Sequence, residues 1–573
     1  MGIANGKLRR FRTRANWSSG CVACVRTGIR LAVCGFLVLA AMRAHETLPN
    51  GIVLPETWPP RDRDAASRAP MPVPYLTNRP AIVPIDVGRQ LFVDDFLIES
   101  TSLTRHYHTP EKYPGNPILV PETARELNNG RRSATAPHSG GAWYDHRDRL
   151  FKMWYMTGWY GGQALAYSTD GLKWMRPDLG VIPGTNGYPD PSPTLRWGMD
   201  HVRIDWNAKD EGERFKSLHF YHVVRNSNLG SGGRVHLSRD GVNWSAPVAA
   251  TGPSGDRNTF FYNPFRQRWV FSIKSQPVDN GMRTRLYWEH PDFVRGAQWK
   301  AGDPVFWFGA DELDLPDPAV GDPPQIYDLD AIPYEGMLVG IFQIHKGPHN
   351  FIAAKNRVPK MTELNVGFTR DGFHWHRPVR TPFIAATRQP GSWERAYLHS
   401  TGGVMLVVGD RLFFYYSGLS GEAPIGPDMY AGGSTGVAFL RRDGFASMEA
   451  GRNPGVLLTR TVRFSGSHLF VNVEVPDGSL RAEITDENGS PIPPFTLANS
   501  VPVRTDRTKQ LMRWRDASDL SSVAGKAVRI RFELQNGKLF SFWVSPTAEG
   551  FSHGYVAAGG PGLIGPVDSA TGF

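Results

Sequence analysis

Cysteine is nearly absent from this chain: of its 573 residues only Cys21, Cys24 and Cys34 carry a thiol. Everything after Cys34 is therefore without a disulfide framework or a cysteine nucleophile. Cys21-Val-Ala-Cys24 has ligand spacing but lacks the second pair that a zinc site needs. Long apolar runs are also scarce. Leu31–Met42 (LAVCGFLVLAAM) falls short of the roughly 20 residues that cross a bilayer. It follows Lys7, Arg9, Arg10, Arg12, Arg14, Arg26 and Arg30 and precedes Arg43-Ala44-His45, the layout of a signal peptide over 1–44. The expectation is a secreted or periplasmic protein with no membrane association once the leader is removed. Those seven cations supply much of the formal net charge of +10. No basic stripe of the kind a nucleic-acid surface needs is present, so nucleic acid is not an expected partner. On charge grounds an acidic polysaccharide is a candidate partner, weighed against an ordinary mixed, solvated surface.

What the chain has in quantity is glycine (61), proline (46) and aromatic side chains (12%, with 17 Trp), a mixture that suits many short strands and tight turns better than long helices. The length exceeds one ordinary domain of roughly 100–200 residues. Residues 45–85, with Trp58-Pro59-Pro60 and Pro70-Met-Pro-Val-Pro74, read as an extended proline-rich linker. A repeat then organises the chain. Ser168-Thr-Asp-Gly-Leu-Lys-Trp174, Ser238-Arg-Asp-Gly-Val-Asn-Trp244 and Thr369-Arg-Asp-Gly-Phe-His-Trp375 share one pattern, and Arg441-Arg-Asp-Gly-Phe445 keeps its turn without the tryptophan. Glycine accepts the positive φ that such a hairpin turn requires. The spacing places a degenerate fifth copy around Tyr287–Trp299. An aromatic hairpin precedes each turn, least clearly in the second unit, where Arg214–Tyr221 is the best candidate. Five units of four strands predict an all-β chain: a five-bladed β-propeller over 86–452. Strict alternation in Leu469–Val475, Leu480–Ile484 and Val528–Leu534 predicts a C-terminal β-sandwich over 453–547. Residues 548–573 read as a flexible tail.

The motifs Leu91-Phe-Val-Asp-Asp95, Asn116-Pro-Ile-Leu119, Gly255–Pro264 (GDRNTFFYNP), Gln325-Ile-Tyr-Asp-Leu-Asp330 and Leu440–Met448 (LRRDGFASM) carry a resemblance that covers most of 85–547. In them the chain resembles the five-bladed propeller glycosidases of glycoside hydrolase families 32 and 43, and most closely a secreted family 32-like group. The resemblance implies a hydrolase acting on a poly- or oligosaccharide through carboxylate acid/base catalysis. No cofactor is required for that chemistry, and a structural Ca2+ is compatible with it. The Trp-Met-Asn-Asp-Pro and Glu-Cys motifs of family 32 are absent here, so catalytic residues do not transfer directly.

Glycoside hydrolysis needs one carboxylic acid and one carboxylate. In a propeller, acidic residues just ahead of the innermost strands collect at the axis. That rule selects Asp256, Asp328, Asp330, Glu394 and Asp95 as catalytic candidates. Asp256 looks like the Asp-Pro step before an inner strand in family 43. Alternation puts Asp328 and Asp330 on one face, where like charges would raise one pKa. Arg257, Tyr327, His138, His399 and Trp159 are the candidate substrate contacts, with Trp154, Tyr155 and Tyr160 as further stacking faces; Glu335, at a hairpin turn on the far side, reads as structural. No metal ligands are assigned. Two other readings stay open: a carbohydrate-binding propeller without catalysis, and a sialidase-like exo-glycosidase, which would require an arginine triad that the sequence does not assemble.

Overall fold

The computed structural model describes residues 45–189, 195–223, 232–275 and 282–571; the leader expected at 1–44 lies outside the described residues. Among the described residues, α-helix is confined to the short segments Pro74–Thr77, Ala124–Leu127, Phe293–Gly296 and Asn350–Asn356, and strands supply the rest of the regular structure. No described helix is long and apolar enough to cross a membrane.

Five antiparallel sheets follow one another along the chain. The first consists of Thr135–Asp145, Leu150–Thr157 and Gln163–Ser168. The second runs Leu195–Ile204, Phe215–Val223, Gly232–Ser238 and Ala249–Ala250. Thr259–Asn263, Arg268–Ser275, Thr284–His290 and Val305–Phe308 form the third. The fourth contains Gln325–Glu335, Met337–Gly347 and Met361–Thr369. In the fifth, Ala396–His399 and Leu406–Val408 both pair with Arg411–Leu419, followed by Gly433–Arg441, and Glu111–Lys112 returns from the N-terminal side to add an outer strand.

The Asp-Gly repeat explains how neighbouring sheets are held. In each intact copy a serine or threonine hydroxyl accepts from the glycine N–H, and the aspartate carboxylate accepts from the next two amides, as Asp170 does from Leu172 and Lys173 at 2.8 Å. The turn thus presents a backbone carbonyl to the adjacent sheet. Tyr415 Oη of the fifth sheet donates to Gly171 O at 2.7 Å, Trp154 Nε1 of the first to Gly241 O at 2.9 Å, and Trp307 Nε1 of the third to Phe373 O at 2.8 Å. Asn258, next to the third sheet's first strand, donates through its N–H to Asp200 of the second, and Gln343 of the fourth donates to Leu398 O of the fifth. Every sheet is therefore tied to its predecessor, and the fifth is tied back to the first. The third sheet lacks the motif because Asp292 instead caps the helix Phe293–Gly296.

Gly241 shows how tight this latch is. Its φ is +75°, and an added Cβ would sit 2.6 Å from a ring carbon of Trp154. Gly241→Ala is expected to cost about 1–3 kcal/mol through strain and overpacking, read as a lowered urea midpoint.

Two further sheets contribute to one apolar core. One has the order Asp506–Leu511, His468–Glu474, Gly537–Ser545, Ala446–Ala450, Thr104–Tyr107; the other has Ser479–Thr485, Arg529–Gln535, Gly455–Thr459, Ile98–Thr101. Val471, Phe542 and Val544 of the first meet Leu480, Ile530 and Phe532 of the second. Three expected boundaries change accordingly. The strands within 90–107 and 446–450 belong to these sheets and not to the five-sheet body. The proline-rich run is no free tether: Leu48, Ile52, Leu54 and Tyr75 are buried in the same core. The C-terminal segment is no loose tail either, since Tyr555–Val556 pairs with Gln325–Glu335 and Val556, Ala557 and Ala558 are buried.

A buried ionic cluster rivets the two halves. Asp443, in the degenerate fourth Asp-Gly copy, accepts from Arg89 Nη1 at 3.0 Å, Tyr334 Oη at 2.6 Å, Asn472 Nδ2 at 3.1 Å and Ser541 Oγ at 2.7 Å. Glu335 accepts from the Arg89 N–H at 3.0 Å and from Ser552 Oγ at 2.7 Å.

Candidate active site

The first strands of the five sheets bring a group of polar side chains together: His138 from the first sheet, Asp200 and His201 from the second, Tyr327, Asp328 and Asp330 from the fourth, and Tyr397 and His399 from the fifth, with Arg257 two residues ahead of the third sheet's first strand. All are buried. His138, Arg257 and Tyr397, together with Tyr160 beside them, are non-glycine residues with positive φ, at 46°, 61°, 44° and 55°. Such backbone strain persists only where the surroundings enforce it.

The centre is aromatic and cationic. Tyr327 Oη lies 2.9 Å from Tyr397 Oη, and Lys360 Nζ donates to Tyr327 at 3.4 Å. The Lys360 ammonium lies 3.9 Å from the Tyr397 ring centroid, and Lys274 and Arg283 approach the Tyr327 ring at 5.2 and 5.3 Å. His138 and His399 meet at 4.2 Å between ring centroids, and Trp159 stacks on Tyr430 at 4.1 Å. Burial, reinforced by Arg257 and Lys360, drives the imidazoles of His138 and His399 well below their ordinary pKa, so both are neutral rings. Burial opposes ionisation of Tyr327, yet Lys360 and Lys274 outweigh it and bring the phenol down to about 8. Burial, with Arg283 and Lys274 nearby, lowers Lys360 to about 8 as well.

The carboxyls have distinct environments. Burial pushes Asp200 up to about 7, helped by Asp256 and Asp328 and opposed by Arg257. Asp256 is partly open to solvent and forms an ion pair with Lys274. Asp328 faces Arg285 at 3.5 Å. Asp330 accepts from Ser400 Oγ at 2.5 Å and lies 3.4 Å from His201 Nδ1. The two aspartates that alternation sets on one face are thus divided between separate partners. A water-poor site holding one readily protonated carboxyl and one cation-paired carboxylate can perform acid/base chemistry. Among the described residues no three His, Cys, Asp or Glu side chains converge as a metal site.

The structure therefore gathers Asp256, Asp328, Asp330, Arg257, Tyr327, His138, His399 and Trp159. Two candidates fall elsewhere. Asp95 is exposed and pairs with Arg105 beside the C-terminal sheets, because the strands after it join those sheets. Glu394 pairs with Lys112 at 2.9 Å and accepts from Tyr416 Oη at 2.7 Å, a bracket between the segment before the fifth sheet and its outermost strand. Glu394→Gln is accordingly expected to leave kcat within about twofold of wild type in a turnover assay. Trp154 and Tyr155 serve packing, the latter donating to Glu126 at 2.7 Å. Asp200, Lys274, Arg283, Lys360, Tyr397 and Tyr430 escaped the sequence reading. The rule applied there, acidic residues ahead of an inner strand, would have found Asp200 had the strand Leu195–Ile204 been recognised.

No family model and no curated protein sequence matches the chain. Among solved structures it is similar to a glycosyl hydrolase from Bacteroides ovatus at 13% identity, over 62% of this chain and 97% of that one, with a TM-score of 0.38. A structure described with the GH130 family of mannoside phosphorylases, which contains glycoside hydrolases that target β-1,2 mannosidic linkages in Candida mannan, matches at 12% identity over 61% and 96%, with a TM-score of 0.35. A thermostable family-43 glycoside hydrolase matches at 13% identity over 56% and 96%, with a TM-score of 0.37.

Proposed function

We propose that this protein is an exported glycoside hydrolase acting on a poly- or oligosaccharide. In this reading the five sheets are the blades of a five-bladed β-propeller closed by Glu111–Lys112, and the two remaining sheets form a β-sandwich riveted to it through Arg89, Glu335 and Asp443. The observation that carries the proposal is the inequality of two neighbouring carboxyls: Asp200, buried and pushed up to about 7, and Asp256, held against Lys274. Glycosidic cleavage asks for such a pair. Asp200 gives its proton to the leaving glycosidic oxygen as the C–O bond breaks. Asp256 supplies the carboxylate of the other half of the reaction: it takes a proton from the water whose oxygen bonds to the anomeric carbon, or bonds that carbon itself until water displaces it. Trp159, stacked on Tyr430, offers a ring to the apolar face of a sugar. Incubation of the purified protein with a polysaccharide panel tests this: reducing ends are expected from at least one glycan, and absence of release from every glycan that the protein binds would leave a carbohydrate-binding protein without catalysis.

A further inference from the structure

The axial site holds more positive charge than its own carboxylates answer. Among the described residues, Lys274, Arg283 and Lys360 lie over the Tyr327 ring and Lys360 over Tyr397, with Arg257 beside them over Trp159 and Tyr160, and the carboxyls sharing that space are Asp200 and Asp256, the second already taken by Lys274. Asp328 is answered by Arg285 and Asp330 by His201 and Ser400. Arg257 is the sharpest case. It is 4% exposed, and its Nε and Nη2 are buried without an acceptor. The neighbouring buried arginine shows the contrast: Arg285 donates to Ser272 Oγ at 2.9 Å and to Arg257 O at 3.0 Å. Arg283 reaches one acceptor, Gln325 Oε1 at 2.7 Å, and keeps a buried Nε without a partner. Aromatic faces soften a buried cation but do not neutralise it. A buried donor fork that finds no acceptor in the protein calls for one from a ligand.

The same cations act on the buried tyrosines. Burial raises a phenol's pKa, and it does so for Tyr160, Tyr397 and Tyr430. Only a strongly positive potential can reverse that effect, and at Tyr327 it is reversed. Asp200 adds to the surplus, since a carboxyl pushed up to about 7 is only partly ionised at neutral pH.

From the unsatisfied Arg257 fork and the excess of cations around Tyr327, we infer that the sugar bound at the axis is anionic, carrying a carboxylate or a sulfate ester that docks between Arg257, Arg283 and Lys360. This deepens the hydrolase reading and rests on it for the word sugar; the anion itself rests on the charge geometry alone. Planar guanidinium groups hold either oxyanion through paired N–H donors.

Isothermal titration calorimetry of the full chain tests the inference with oligogalacturonides, sulfated galactan oligosaccharides, and their carboxyl-reduced and desulfated counterparts. At least one anionic form is expected to bind about tenfold or more tightly than its neutral counterpart. Arg257→Gln is expected to remove most of that preference, weakening the anionic form about tenfold more than the neutral form. Arg283→Gln gives the same readout should the first variant fail to fold. Preference for the carboxylate or for the sulfate names the source of the anion, and either supports the inference. Equal affinity for charged and neutral forms overturns it, as does a preference that both variants retain. Reducing ends are counted in the same samples. Hydrolysis without anion preference would sink this inference and keep the hydrolase, whereas anion preference without hydrolysis would do the reverse.

Discussion

Asp200→Asn is expected to lower kcat by about 10²–10⁴-fold on any glycan that the wild type hydrolyses, the range that general acid catalysis contributes. Asparagine keeps the shape and accepts from the Asn258 N–H as Asp200 does, but it has no proton to give. The wild-type rate should fall as the pH rises through about 7, where Asp200 loses its proton, and this limb should vanish from the residual activity of the variant. Stability should fall over the same rise in pH. A carboxyl whose folded pKa stands above its ordinary value binds its proton more tightly in the native state, so the stability that Asp200 contributes is fully present below the ordinary carboxylate range and is lost as the pH rises from there to about 7. For a fully buried group that loss is on the order of 4 kcal/mol. The substitution relieves it. Thermal melts should therefore show Asp200→Asn at or above wild type at pH 8 and close to wild type at pH 4. A variant that is inactive because it is unfolded cannot give that pattern.

Asp443→Ala is expected to cost the fold about 3–5 kcal/mol, because it takes the nearer of two carboxylates from buried Arg89, leaving Glu335 at 3.6 Å, and strips three further donors of their acceptor. Arg89 would keep Thr508 O at 2.9 Å and the Trp543 ring at 4.1 Å, but not its nearest carboxylate. Tyr334, Asn472 and Ser541 would lose their acceptor at the same time. Asp443→Asn, which keeps an acceptor oxygen, should lose less, and urea unfolding of the two variants separates charge from hydrogen bonding. Because these partners come from the fourth and fifth sheets and the C-terminal sheets, the midpoint should shift when followed by fluorescence or by circular dichroism.

The repeat was legible because turn chemistry is local. Ser168, Asp170 and Gly171 satisfy one another within four residues, and the same signature recurs at 238–241 and 369–372. The candidate site was only partly legible. Leu195–Ile204 hides from a hydrophobic pattern because Asp200, His201 and Arg203 are buried polar residues within it. Lys360 and Lys274 reach the site from ahead of a third strand and from a second strand, positions that a rule about first strands cannot see. Composition misled at both ends. Prolines in 45–85 mark an extended course but do not reveal that Leu48, Ile52, Leu54 and Tyr75 have a core to enter. Glycines after 548 look like slack, yet Gly554 and Gly560 are small because Glu335 and Val407 press against them.

The central claim, that sugar is cleaved at the axis beside Asp200, is tested most directly by a crystal structure of the Asp200→Asn variant soaked with an oligosaccharide that the wild type hydrolyses. The account predicts an intact ligand with its glycosidic oxygen within hydrogen-bond reach of the substituted side chain and one ring against Trp159. A ligand seated instead in the cavity of about 540 Å³ at the second sheet, beside His219, His236 and Trp244, with the axis unvisited, would contradict it.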